Sequence, residues 1–236
     1  MNIIITGASK GIGYEIAKEF AKNKQNKITL ISRDYERLIN LKNECLNKGF
    51  ESKIFTIKYD FNELNLQKQL LPKILKYFDK IDILINNAGV LVYKPFEEID
   101  INEAKQMFNV NFFAASELIR VLLPYFTVDS HKHIINISSM GGFQGSVKFK
   151  GLSYYSASKA AIANLTECLA EEYKDRNISF NCLALGSVQT EMFKKAFPGV
   201  QASLKPKEMA KFIVDFAING NEFFNGKVLP VSISTP

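Results

Sequence analysis

The chain has 236 residues, 47% of them apolar, with a formal net charge of +6. That is enough for one substantial core, and residues 1–236 read as a single domain. The lysines are scattered, with no basic stripe interleaved with aromatics, so the charge reads as solvated surface and no nucleic-acid partner is expected.

Three cysteines, Cys45, Cys168 and Cys182, form no CxxC pair. They read as reduced, buried thiols of a cytoplasmic protein. His131 and His133 flank Lys132 without Cys, Asp or Glu at ligand spacing, and read as surface residues at a strand entrance; no metal is expected. No apolar run approaches the ~18 residues of a membrane span, and Met1 leads straight into a strand pattern, so neither leader nor membrane partner is expected.

In chain order, strand-length apolar runs fall at 2–6 (NIIIT), 27–32, 53–57, 81–85, 133–138, 179–184 and 227–232. Most are continuously apolar, as when both faces of a sheet are covered. Helical patterns lie between them at 11–23, 34–48, 62–78, 101–126, 155–175 and 206–219; the first repeats Ile12, Ile16 and Phe20 at four-residue spacing. Strand alternating with helix predicts an α/β fold. The expected form is a Rossmann-like, doubly wound, seven-stranded parallel sheet with helices on both faces. Pro230 marks the last strand as an edge.

The first strand runs into TGASKGIG, with glycines at 7, 11 and 13. A tight turn after a strand needs a residue free in φ, and the helix that follows offers unpaired N–H groups to an anion. Taken alone, such a turn could be a plain strand-to-helix connection; its place at the first βα junction favours a pyrophosphate site. Near the middle of the chain stands SYYSASKAA, residues 153–161. Tyr155 and Lys159, four apart, share one face of a helix, while Tyr154 points elsewhere and reads as a packing or pocket residue.

TGASKGIG, NNAG at 86–89, NVN at 109–111, NISS at 136–139 and YSASK at 155–159 occur in that order. With these five motifs the chain resembles the short-chain dehydrogenase/reductase family, in its compact single-domain branch, over residues 2 to about 232. The resemblance implies a cofactor turn formed by Gly7, Ser9, Lys10, Gly11, Ile12 and Gly13. It also implies adenine contacts from Asp60 and Phe61, and a strand end at Asn87, Ala88 and Gly89 beside the cofactor. Gly186, Val188 and Thr190 would meet the nicotinamide, and Asn111, Ser139, Tyr155 and Lys159 match the catalytic tetrad. Asn111 would steady a water linking Lys159 to solvent. There are three departures: Leu185-Gly186 stands where the family usually has Pro-Gly, the stretch from Ser139 to Tyr155 is long at 16 positions, and the chain ends in SISTP.

The resemblance implies an NADP(H)-dependent oxidoreductase acting on a small-molecule carbonyl or secondary alcohol, with Tyr155 as acid/base. An NAD-dependent dehydrogenase of the same fold and a dinucleotide-sensing regulator are the alternatives. A lysine ammonium four residues away would lower the phenol pKa, and Ser139 can donate to a developing oxyanion; Ser138 is an alternative to it. The dinucleotide is chosen at the end of the second strand, where LISRD offers Ser32 and Arg33 in place of a carboxylate, with Lys10 nearby. That pattern favours the 2′-phosphate and NADP(H), with NAD(H) the alternative. Asp34 reads as a helix cap, though it could be the acceptor of an NAD enzyme.

Residues 140–153 and 191–205 read as mobile loops flanking the site, with Phe143, Met192, Phe193 and Phe197 as apolar substrate walls alongside Ser139 and Tyr155; incidental surface aromatics are the plainer alternative. Lys148 and Lys150 could favour an anionic substrate, although solvated lysines are the simpler reading. Helices 101–126 and 155–175 carry apolar residues on more than one face, including Phe112, Phe113, Leu165 and Leu169, which with the resemblance implies a homodimer or homotetramer.

Overall fold

The computed structural model describes residues 1–127 and 132–233. His131 and the last three residues of SISTP therefore lie outside the described residues. Seven strands form one sheet: β1 (Asn2–Thr6), β2 (Lys27–Ser32), β3 (Lys53–Lys58), β4 (Ile83–Asn86), β5 (Lys132–Ser139), β6 (Ile178–Leu185) and β7 (Lys227–Val231). Their spatial order is β3-β2-β1-β4-β5-β6-β7, and every pair is parallel. Thr6 lies beside Ile31, Asn86 beside Asn136 and Ser139 beside Leu185.

Successive strand residues feed opposite cores. Ile3 and Ile5 pack on one face with Ile16 and Phe20 of α1 (Gly11–Ala21) and Met209 and Ile213 of α8 (Pro206–Asn219). Ile4, Leu84 and Ile134 pack on the other face with Leu118 and Leu122 of α5 (Ala114–Leu122). Both faces are buried, so the strands read as unbroken apolar runs. Strand order reverses between β1 and β4. At such a switch point the loops leaving the carboxyl ends of the strands diverge and leave a crevice.

Helix α2 (Tyr35–Asn47) starts where expected: the Asp34 side chain accepts from Arg37 N at 3.1 Å, the cap anticipated for it. Two expected helices are broken. The stretch 62–78 forms a π turn at Leu66–Leu70 and a short α3 (Leu71–Ile74). Pro72 has no N–H to donate, and the turn ahead of it widens. The stretch 101–126 divides into α4 (Ile101–Phe108) and α5 around a π turn at Asn109–Phe113, then ends in a 3-10 turn at Leu123–Tyr125. The long helix α6 (Ser153–Glu172) is continuous.

Two expectations about burial fail. His133 is not at the surface: it is 1% exposed, with Nδ1 3.1 Å from the Ala217 carbonyl and Nε2 3.0 Å from Asn181 Nδ2. The entrance of β5 is central in the sheet and covered by α8, which is why a polar residue there is enclosed. Lys132 beside it is equally buried and donates to Asp82 Oδ1 at 2.6 Å. Cys168 is exposed, because it lies on the face of α6 opposite the buried Ile162, Thr166 and Ala170; Cys45 and Cys182 are buried. Among the described residues no helix is long and apolar enough to cross a membrane.

Candidate active site

A cavity of about 700 Å³ opens at the carboxyl ends of β1, β4, β5 and β6. At its first edge, Gly7 has φ +66°, and a Cβ there would come within 2.7 Å of Ala88 Cα. A Cβ on Gly13 would lie 2.6 Å from the Gly7 carbonyl oxygen. The turn is thus closed tightly against β4. Asn87 Nδ2 donates to the carbonyls of Thr6 and Gly7 at 2.9 and 3.2 Å, and the Asn87 and Ala88 amides donate to Thr6 Oγ1. Gly7, Ser9, Lys10, Gly11 and Ile12 line the cavity, as do Asn87, Ala88 and Gly89, while Gly13 lies behind them in the packing. A backbone cradle that a single methyl would fill, ending at the N-terminus of α1, fits a pyrophosphate.

The charged residues gather at one end. Ser32 donates to Ser9 Oγ at 2.8 Å and is buried. Arg33 and Asp60 face each other at 3.7 Å, with Phe61 beside them in the wall. Two residues that the sequence did not single out complete this end. Arg37 pairs with Asp34 at 3.3 Å and, through Nη1, with Glu191 at 2.9 Å; Glu191 also takes Lys10 Nζ at 3.1 Å. The hydrogen bonds from Lys10 and then Arg37 hold the Glu191 carboxyl below the usual range. Ser9, Ser32, Lys10, Arg33 and Arg37 fit a phosphate on the adenosine ribose.

At the other end, Tyr155 is half-buried at the cavity floor, which it lines together with Ser139. Ser139 Oγ also accepts from Gly141 N at 3.2 Å, which caps a 3-10 turn at Met140–Gly142. Ser138 turns the other way and donates to the Lys159 carbonyl at 2.7 Å, so its hydroxyl is committed to α6. Lys159 Nζ is buried and donates to the Ile137 carbonyl at 2.7 Å. Burial pulls Lys159 down to about 8. Burial also pushes Tyr155 above the ordinary phenol value, against the opposing hydrogen bond of Ser139. The influences on the phenol in this state are burial and Ser139, and the expected lowering by Lys159 is not among them.

Asn111 sits in the π turn, away from the cavity wall. Its Nδ2 donates to the Val90 carbonyl and to Ser158 Oγ, both at 2.9 Å, and its Oδ1 accepts from Val90 N at 2.8 Å. It pins the loop after β4 to α6, and a Cβ on Gly89 would lie 3.4 Å from Asn111 Oδ1 and 3.5 Å from Lys159 Nζ. Tyr154 faces outwards and stacks on Phe96 with ring centroids 5.5 Å apart.

Leu185 extends β6 into register with Val231, and Gly186 N donates to the Val231 carbonyl at 2.9 Å. Gly186, Val188 and Thr190 line the cavity. Residues 191–196 are not a loop: Thr190 Oγ1 accepts from Phe193 N at 3.1 Å and caps helix α7 (Glu191–Ala196). Met192, Phe193 and Phe197 line the wall, the two phenylalanine rings 5.1 Å apart. Phe143 does not line it. That residue ends the 3-10 turn, and its carbonyl accepts from Ser146 Oγ and Lys148 Nζ. Phe149 and Leu152, further along the same loop, line the cavity where Phe143 was expected.

The family model described as short chain dehydrogenase matches residues 1–201. The chain belongs to the short-chain dehydrogenase family. One relative, a fatty acyl-CoA reductase of Acinetobacter baylyi, is 34% identical over 215 residues, covering 89% of this chain and 70% of that one. A second, an NADP-dependent 3-hydroxy acid dehydrogenase of Schizosaccharomyces pombe, is 30% identical over 231 residues, covering 93% and 87%. The crystal structure of a dehydrogenase/reductase from Sinorhizobium meliloti superposes with a TM-score of 0.85 at 27% identity, covering 98% of this chain and 92% of that one. As a member of the short-chain dehydrogenase family the chain is an oxidoreductase of dinucleotide-dependent type, built on the Rossmann-like sheet described above.

Proposed function

We propose that the protein is an NADP(H)-dependent oxidoreductase that interconverts a carbonyl and a secondary alcohol, with Tyr155 as the acid/base. The observation that carries this reading is the convergence of Tyr155 and Ser139 on the cavity floor, with Lys159 one helical turn on and buried beneath. When bound, the nicotinamide supplies or accepts the hydride, and the proton at the substrate oxygen is left to the protein. Tyr155 donates that proton in reduction, and Ser139 donates a hydrogen bond as charge develops on the same oxygen. Lys159, fixed by the Ile137 carbonyl, is placed to return charge to the phenol side of the site. Asn111 acts through others: it positions Val90 and Ser158, and the remaining lone pair of its Oδ1 is available to a relay water.

The preference for the 2′-phosphate is supported by Ser32 in place of a carboxylate, by the cluster of Lys10, Arg33 and Arg37, and by Asp34 being spent on its helix cap. The Schizosaccharomyces relative is itself named as NADP-dependent. Titrating the protein with NADPH and then adding a panel of carbonyls tests the reading through loss of the reduced-nicotinamide absorbance. Binding without oxidation for every carbonyl would mark a sensor, and a preference for NADH would reverse the cofactor assignment.

The same reading includes a dimer or tetramer assembled through α4–α5 and α6. It is supported by Phe113, exposed on the π turn with Phe112 against it at 5.1 Å, and by the half-buried Leu165. Light scattering at micromolar concentration showing a stable monomer would overturn it.

A further inference from the structure

We infer that the reacting half of the cavity takes a neutral carbonyl compound with a hydrocarbon body, and not a polyol, a carboxylate or a phosphate ester. The inference rests on the oxidoreductase reading above and names the substrate class of that same site.

The charge in the cavity is divided unevenly. Arg33 is paired with Asp60, Arg37 with Asp34 and Glu191, and Lys10 with Glu191, all at the end where Ser9 meets Ser32. The other charged lining residue, Lys159, is buried and donates to the Ile137 carbonyl. Lys148, on the loop that flanks the site, does not reach in: its ammonium donates to the Phe143 carbonyl at 2.5 Å and to Ser146 Oγ at 2.9 Å. Among the described residues, an anionic substrate would find no cation in the wall around Tyr155 other than Lys159.

What the wall offers instead is carbon. Leu91, Phe149, Leu152, Met192, Phe193 and Phe197 line the cavity, Phe149 and Leu152 on the loop that leads into Tyr155 and the last three on the segment that follows Thr190. Their arrangement is built, since Tyr93 packs edge-on against Phe197 at 5.4 Å, and Gly151 has φ +78° with its Cα side pressed on the Tyr93 ring. Lys94 N donates to the Gly151 carbonyl at 3.1 Å and ties the loop after β4 to the loop before α6. Two segments distant in the chain thus close on α7 to form one apolar slot. The slot also opens onto apolar surface: Phe149 is 41% exposed and Val200 53%, both on its lining. Apolar side chains gathered at the rim of a pocket are the mark of a site that receives apolar matter. A sugar hydroxyl facing this wall without a partner would lose about 5- to 150-fold in binding. A methylene there gains about fourfold.

The test is NADPH-dependent reduction of 2-alkanones of increasing length beside a ketohexose and a 2-oxo acid. Expected is a kcat/KM that rises about fourfold per methylene over the first few carbons and flattens once the chain reaches the rim. The ketohexose and the 2-oxo acid should fall below the alkanone of equal carbon number. A flat alkanone series, or preference for either polar substrate, overturns the inference while leaving the oxidoreductase reading intact. Calorimetry of the same ketones binding to the NADPH-loaded protein keeps the two separate. Binding that tightens with chain length without turnover upholds the slot and sinks the oxidoreductase reading. Binding that ignores chain length sinks the slot. Phe197→Ala should reduce kcat/KM more for long ketones than for short ones, and Met192→Gln, which keeps the side-chain length but adds an amide, should do the same. Equal losses along the series in both variants would refute it.

Discussion

Glu191 is the residue whose removal should improve the protein's grip on NADPH. Its carboxylate lies between Lys10 and Arg37, and the two cations keep it ionised throughout the working pH range. In the proposed complex the 2′-phosphate needs those same cations, so it must first displace a carboxylate. All three side chains are about half exposed, at 49%, 50% and 47% for Lys10, Glu191 and Arg37. Each pair is therefore worth about 0.2–1 kcal/mol and not the several kcal/mol of a buried one. Releasing both cations should tighten NADPH about two- to thirtyfold in Glu191→Gln. NADH, with no 2′-phosphate, should bind the variant and the parent alike, and adenosine 2′,5′-bisphosphate should follow NADPH. Arg33→Ala gives the complementary change. Arg33 reaches Asp60 only at 3.7 Å, so its charge is little committed. Its loss should weaken NADPH about 10- to 150-fold with NADH nearly unchanged. Calorimetric titration of both cofactors measures each shift. An unchanged or weaker NADPH affinity in a folded Glu191→Gln protein, or an equal gain for NADH, would refute the reasoning.

Tyr155→Phe should keep NADPH affinity and lose on the order of 10²–10⁴ in turnover, whereas Tyr154→Phe, altering a residue stacked on Phe96 outside the cavity, should keep most activity; equal losses would sink the assignment. Lys159 falls from 10.5 to about 8 in the fold, so between those values the unfolded chain holds a proton that the folded protein has released, and stability rises with pH across that window. Below about 8 the burial penalty is complete, so Lys159→Met should gain on the parent at neutral pH and give back about 3 kcal/mol of that difference by pH 10.5 in urea unfolding; a pH-independent difference would contradict it. Gly13→Ala should abolish tight NADPH binding, since the added Cβ meets the Gly7 carbonyl at 2.6 Å and must push the turn off β4; retained affinity would show that the turn yields cheaply.

Sequence periodicity carried most of the fold because the sheet is covered on both faces, which forces unbroken apolar strands and makes each strand visible by itself. The Tyr155–Lys159 pair was legible for a similar reason, being a local relation within one helix. What escaped was set by partners far along the chain. Asn111 shapes a π turn, but its partners are Val90 and Ser158. His133 is buried by Asn181 and Ala217, which no local pattern reports. Glu191 meets Lys10 across 181 positions. Phe143 and Phe149 stand on one loop; Phe143 ends the turn that Ser139 caps, and Phe149 lines the cavity.

The two titratable groups on the cavity floor are moved in opposite directions by one cause. Burial raises Tyr155 and lowers Lys159, and each shift favours the neutral form. A phenol held protonated is already the acid that carbonyl reduction requires, so in the proposed reaction the resting site needs no adjustment before reduction. Alcohol oxidation needs the phenolate, which burial opposes. Lys159 can oppose burial only while it carries its proton, and at about 8 it does so through neutral pH and loses it just above. Its hydrogen bond to the Ile137 carbonyl fixes the ammonium under α6 with no carboxylate among its shifting influences, so nothing quenches the charge that the phenolate would need. An acidic partner for Lys159 would have kept the lysine protonated to higher pH, but it would have cancelled the positive charge that the proposed reaction calls on beside Tyr155. A buried lysine bonded to a neutral carbonyl leaves that charge uncancelled, and burial lowers its pKa.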